Sequence, residues 1–186
     1  FFTDFSADLA AVAAVEPPFS LVSINDAEGI VCTGLTDDLT QTPDDYRGIL
    51  LMAKTLGLPM LCATPVIVVP WGDTLLYCAG ALAQAFEKIG GTALYFGKPH
   101  PPIYDLARRR LGLLGLRDDA AILAIGDGIG TDIQGAMSEN MDAVFITGGI
   151  DATAFGAVSD TPNKDLLESW LAAKQLSPSF AMGHLR

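Results

Sequence analysis

Short apolar runs that end in small or polar loops, each followed by a segment of helical period, recur along most of this chain. Residues 19–24 (Phe19 with SLVSI), 30–33 (IVCT), 58–63 (LPMLCA), 93–96 (ALYF), 120–125 (AAILAI) and 143–147 (AVFIT) read as strands, and 66–69 (VIVV) continue an apolar run past Pro65. Between them lie helical patterns. Thr42 is placed to cap a helix that Pro43 opens, Asp44 and Asp45 face its dipole, and Gly57 ends it. Residues 78–89 form a second helix that stops at Gly90-Gly91. A third starts near Pro101, a fourth covers about 131–140, and a last one spans 163–175. The tail from Leu176 is weakly patterned. Strands that alternate with helices predict an α/β fold with a mostly parallel sheet. In such a sheet the working residues gather beyond the carboxyl ends of the strands. The expected domain boundary falls between Gly90-Gly91 and the Lys98 loop, giving domains 1–91 and 92–186.

Charge and composition narrow the function. The net charge of −11 argues against a nucleic-acid partner, because phosphate backbones are gripped by clustered Lys and Arg. The one basic run, Arg108-Arg109-Arg110, is expected to be a solvated helix face. No stretch is apolar and long enough to cross a bilayer, and no secretory signal is visible. Cys32, Cys62 and Cys78 form no close pair and lie in apolar runs. They read as small buried hydrophobes of a reducing, cytoplasmic compartment.

The candidate chemistry lies in two loops that follow strands. In AILAIGDGIGTDIQGA (121–136), an apolar run ends at Gly126, Asp127 follows at the strand end, and Asp132 falls in the first turn of the next helix. Gly128 and Gly130 let the loop turn tightly enough to bring the second carboxylate back beside the first. Two carboxylates that close repel unless they share a proton or a cation. One or two carboxylates plus waters suit Mg²⁺, which stays partly hydrated and bridges to phosphate. Dinucleotide binding fits poorly, because an acid stands inside the glycine loop where a pyrophosphate would sit. Lys98, after the strand at 93–96, adds a cation at a second strand end. A lysine and Mg²⁺ together can quench the charge of a phosphoryl group in transfer.

FGKPHPPIYDLA followed by AIGDGIGTDIQGA resembles the third and fourth motifs of the haloacid dehalogenase (HAD) superfamily. DYRGILLMAKTLGLPMLCATP and YCAGALAQAFEKIGG resemble the α/β cap of its class IIA branch, which holds sugar-phosphate and pyridoxal-phosphate phosphatases. The resemblance covers most of residues 20–150. It implies a Rossmann-like core whose C-terminal half is 92–186, and a substrate-specificity cap in 1–91. It implies that Lys98 neutralises nucleophile and phosphate, that Asp127 is catalytic and ligates Mg²⁺, and that Asp132 ligates the metal or holds its waters. The implied function is hydrolysis of a small phosphorylated metabolite through an aspartyl-phosphate intermediate.

Two departures qualify that expectation. The family's aspartate nucleophile, in a D-x-D motif, should precede the cap, and this sequence shows no such motif there. Asp26-Ala27-Glu28-Gly29 resembles it but aligns with a surface turn of the cap, and Glu28 is one methylene longer than the family's second acid. At Thr64-Pro65-Val66 the branch usually has Asn-Pro-Asp, and here an apolar run continues to Trp71. Met137 and Met141, on one side of a helix by their spacing, add apolar bulk, and His100 is read as structural. The alternative function is therefore a non-catalytic or engineered scaffold that binds a protein partner through residues 65–71. With one core strand unaccounted for, an exposed sheet edge should favour a homo-oligomer or another polypeptide.

Overall fold

A computed structural model describes residues 20–72, 74–116, 121–156 and 161–185, Pro70 by its backbone alone. The chain divides into two compact units, 1–97 and 98–186.

In the first unit, β1 (Ile30–Cys32), β2 (Met60–Cys62) and β5 (Ala93–Tyr95) form a parallel sheet in the order β1-β2-β5. Residues 92–97, assigned above to the second domain, belong here because β5 is hydrogen-bonded to β2. The helix expected from Pro43 begins as a 3-10 turn (Pro43–Tyr46) and continues as α1 (Arg47–Thr55). Gly57, at φ +71°, takes the left-handed conformation that ends it. Helix α2 (Ala79–Lys88) supplies Leu82, Ala83 and Phe86 to a core shared with Leu50, Ala53, Met60 and Cys62. Strand alternation sends Cys32 and Cys62 into that core. Burial pushes the Cys32 thiol up to about 12 and the Cys62 thiol up to about 11. Both are inert core residues, as their apolar surroundings predict.

Two strand assignments change. Phe19 lies outside the described residues, and 20–24 form no strand. Leu21 and Val22 are exposed, and the segment closes in a turn where Asp26 N–H donates to the Ser23 carbonyl at 3.0 Å. Asp26 and Glu28 are exposed there. The apolar run after Pro65 does form β3 (Val68–Trp71), but as one arm of an antiparallel hairpin with β4 (Thr74–Tyr77). The second arm, TLLY, was not anticipated. The hairpin is half solvated, with Trp71 67% and Leu75 66% exposed.

The second unit contains α3 (Pro101–Leu113) and a parallel sheet in the order β6-β7-β8, made of β6 (Leu123–Gly126), β7 (Asp142–Ile146) and β8 (Phe180–Met182). Residue 120 of the expected first strand lies outside the described residues. β8 falls in the weakly patterned tail, where only three residues pair with β7. Helix α5 (Lys164–Lys174) is capped by Asn163, whose Oδ1 accepts from Leu166 N–H at 3.1 Å. Phe145 and Trp170 stack at 5.8 Å between ring centroids, and Phe155 meets both edge-on at 5.0–5.8 Å, over the core around Ile133 and Ala136. Among the described residues β6 has a partner on one side only, and Leu123 and Ile125 are exposed along it.

Candidate functional site

The loop after β6 explains its own glycines. Asp132 folds back until its Oδ2 accepts the Gly128 N–H at 3.0 Å. A Cβ at Gly126 would then lie 2.3 Å from the Asp132 Cγ, and one at Gly128 would lie 2.2 Å from the Thr131 Oγ1. A side chain at either position would have to displace Asp132 or Thr131. Gly130 meets no such crowding. The helix expected at 131–140 is correspondingly altered. It opens as a π-turn (Ile129–Ile133), with Ile133 N–H reaching back to the Gly128 carbonyl at 3.1 Å. Only Gln134–Ser138 is α-helical, here α4. Wide turns of this kind recur at functional sites because they re-aim side chains.

The other oxygen of Asp132, Oδ1, accepts from the Lys98 ammonium. Asp132 is largely buried while Lys98 is half exposed, so the acid is the fixed partner and the lysine reaches it from solvent. Asp127 stands just beyond the end of β6. Its Oδ2 accepts the Ile150 N–H at 3.2 Å, and it packs so closely on Gly149 that a Cβ there would meet that oxygen at 2.1 Å. The Gly148-Gly149 turn after β7 therefore cradles Asp127, a role sequence reasoning missed. The signal was a glycine pair directly after an apolar run. Gly148 itself is covered by His184, with a Cβ position 2.6 Å from the His184 Nε2. His100 occupies the N-cap position of α3.

Lys98, Asp127 and Asp132 thus lie in one unit: Lys98 pairs with Asp132, and Asp127, at the carboxyl end of β6, is held by the Gly149-Ile150 turn. The apolar 65–71 segment belongs to the other unit. Arg108 is not simply solvated: it pairs with Glu139, a largely buried acid. Met137 and Met141 do not share a helix. Met137 lies on α4 and accepts the Ser177 N–H at 3.2 Å, while Met141 lies beyond it and packs on the core.

Among the described residues no three His, Cys, Asp or Glu side chains converge as a metal cage. The hard oxygens present are two carboxylates on one loop. That donor set fits a cation that keeps several waters and completes its shell with substrate oxygens, which is the habit of Mg²⁺. No helix among the described residues is long and apolar enough to span a membrane.

Residues 95–171 match the family model described as HAD-hydrolase-like. Among solved structures, the chain is 41% identical to a haloacid dehalogenase-like family hydrolase from Brucella suis 1330, with a TM-score of 0.67 over 79% of this chain and 56% of that one. A p-nitrophenyl phosphatase from Archaeoglobus fulgidus aligns at 18% identity and a TM-score of 0.64, over 86% of this chain and 55% of that one. A possible sugar phosphatase of the HAD superfamily from Cytophaga hutchinsonii aligns at 19% and 0.61, over 85% and 52%. The last two likenesses are of fold. No curated protein matches the chain. The chain spans about half the length of these structures. In its family match over residues 95–171 and in its fold, the chain is similar to haloacid dehalogenase-like hydrolases.

Proposed function

We propose that the chain supplies the cap and the C-terminal half of the core of a Mg²⁺-dependent phosphomonoester hydrolase acting on a small phosphorylated metabolite. The first unit would be the cap that selects the substrate, and the second would hold the catalytic groups. The observation that carries this reading is the Asp132 carboxylate, folded back onto Gly128 and paired with Lys98, on the loop that Asp127 opens at the end of β6. Asp127 and Asp132 would hold the metal, which when bound supplies positive charge to the phosphoryl oxygens. Lys98 would turn its ammonium to the same oxygens. Its half-exposed side chain leaves it free to do so, while the Gly128 N–H keeps Asp132 in place. The Ile150 N–H orients Asp127 in the same way. The free thiols fit a cytoplasmic setting.

The test has two readings. A ligand that binds only the folded state raises stability by RT ln(1 + [L]/Kd), about 2.7 kcal/mol at a hundredfold excess over Kd. Mg²⁺ should raise the melting temperature of the parent, and Asp127→Asn should abolish that rise. Mg²⁺-dependent hydrolysis of p-nitrophenyl phosphate, present in the parent and absent in Asp127→Asn, would place the complete activity in this chain. A melting temperature unmoved by Mg²⁺, with or without inorganic phosphate, would refute the site.

A second reading, a protein-binding scaffold, is favoured by the hairpin alone. Two-stranded hairpins are marginal in water, and this one exposes Trp71 and Leu75. Under that reading Asp127→Asn changes nothing, and Trp71→Ser removes binding.

A further inference from the structure

Lys98 stands three residues before α3, and Gly135 follows Asp132 by three residues in α4. Two contacts join α3 to α4 and its C-cap residue, Glu139. The phenol of Tyr104 lies on Gly135, where a Cβ would stand 1.9 Å from the phenolic oxygen. One turn further on, Arg108 grips Glu139 at two points. Its Nη1 donates to Oε2 at 2.5 Å and its Nη2 to the backbone carbonyl at 3.2 Å. Residues four apart share a helix face, so the two contacts form one seam that advances in step along both helices. Followed back one turn, the seam reaches the loop with Lys98 and the turn with Asp132, where ammonium and carboxylate meet.

The middle of the seam is tightly filled. The Tyr104 hydroxyl is buried and has no hydrogen-bond partner among the described residues. Burial raises its pKa, and the charges of Asp132 and Glu139 add to the shift. The phenol, packed on Gly135 without a hydrogen-bond partner among the described residues, acts by filling space. Arg108 faces Glu139 across the seam and Asp105, 3.6 Å away, on its own helix. A lysine at 108 would keep the charge and lose the fork that holds side chain and carbonyl together.

We propose that Arg108, with Tyr104, is a positioning residue: its grip on Glu139 registers α3 on α4 and so sets Lys98 against Asp132. Its catalytic meaning rests on the phosphatase reading, but its test needs no activity. Lysines would be acylated competitively with limiting acetic anhydride in the full chain, and Lys98 labelling scored against Lys164 by mass spectrometry. In Arg108→Gln and in Glu139→Gln, Lys98 should label about threefold faster than in the parent, a coupling within the range seen for contacting residues. The double variant should go no further than either single one. Arg108→Lys should recover only part of the protection. An unchanged ratio in folded Arg108→Gln would overturn the proposal, as would independent, multiplying effects in the double variant. A purely structural pair would lower the melting temperature and leave the ratio alone. Should Arg108→Gln fail to fold, Glu139→Gln keeps the backbone grip and reads the same quantity. Loss of the Mg²⁺ effect without loss of this ratio change would refute the phosphatase reading alone.

Discussion

Replacing Gly126 by alanine adds one methyl group where the structure has no room. The new Cβ would stand 2.3 Å from the Cγ of Asp132, 2.4 Å from its Cβ and 2.4 Å from its Oδ2. The backbone of Gly126 is not in the left-handed region, so alanine meets no conformational penalty there. The whole effect must come from displacing Asp132. Overpacking of this kind costs about 1–3 kcal/mol. Moving the carboxylate also weakens its bonds to Gly128 N–H and to Lys98, the latter worth little because the lysine is half exposed. In a chain of 186 residues, each kcal/mol shifts the melting temperature by about 2–4 °C, so a fall of roughly 2–12 °C is expected.

A control on the same unit should move the other way. Gly112 lies in α3 with nothing within 4 Å of its Cβ position. Gly112→Ala should stabilise by up to about 1 kcal/mol through helix propensity. The decisive measurement is a double-mutant cycle by calorimetry with Asp132→Gly, chosen because the Asp132 Cβ itself contributes to the clash. If the reasoning is right, Gly126→Ala costs much less in the Asp132→Gly background. An equal cost in both backgrounds would show that Asp132 does not fold back over Gly126.

Two other changes test the first unit. The buried Tyr46 hydroxyl donates to the Gln41 Oε1 at 2.6 Å and accepts the Thr36 N–H at 2.5 Å. Tyr46→Phe should cost about 0.5–1.5 kcal/mol in a denaturant titration, because the exposed Thr36 can turn its N–H to water, and a loss below the error of the method would count against that bond. Asp45 accepts from the Thr42 N–H at 2.7 Å and the Thr42 hydroxyl at 3.0 Å, and these bonds hold its pKa below the ordinary 3.8. A depressed carboxyl pKa gives stability that is present above the unfolded-state value and lost as pH falls through the folded-state value. Asp45→Asn should therefore flatten the decline in stability below about pH 4. An unchanged acid limb in thermal melts would remove Asp45 from the account.

What the sequence could reveal depended on whether a signal was local. The strands around Cys32, Cys62 and Ile125 were legible because buried parallel strands are short apolar runs wherever they occur. The Asp127 and Asp132 loop was legible because its glycines and acids are neighbours in sequence, and their crowding is settled within seven residues, from Gly126 to Asp132. The strand expected at 19–24 shows the converse. Its composition suits a strand, but a strand also needs a hydrogen-bonded neighbour, and none pairs with 20–24 among the described residues. β8 has the opposite history: Phe180–Met182 carries almost no pattern and is a strand because β7 offers it an edge. Arg108 belongs with β8. Inside an Arg-Arg-Arg run nothing distinguishes it from Arg109 and Arg110, and its partner stands 31 residues away, at the C-cap of α4. Its grip becomes visible only once the fold has laid Tyr104 of α3 on Gly135 of α4. The residues that would do chemistry were therefore readable from their own loops, whereas those that hold them in place had to be found in three dimensions.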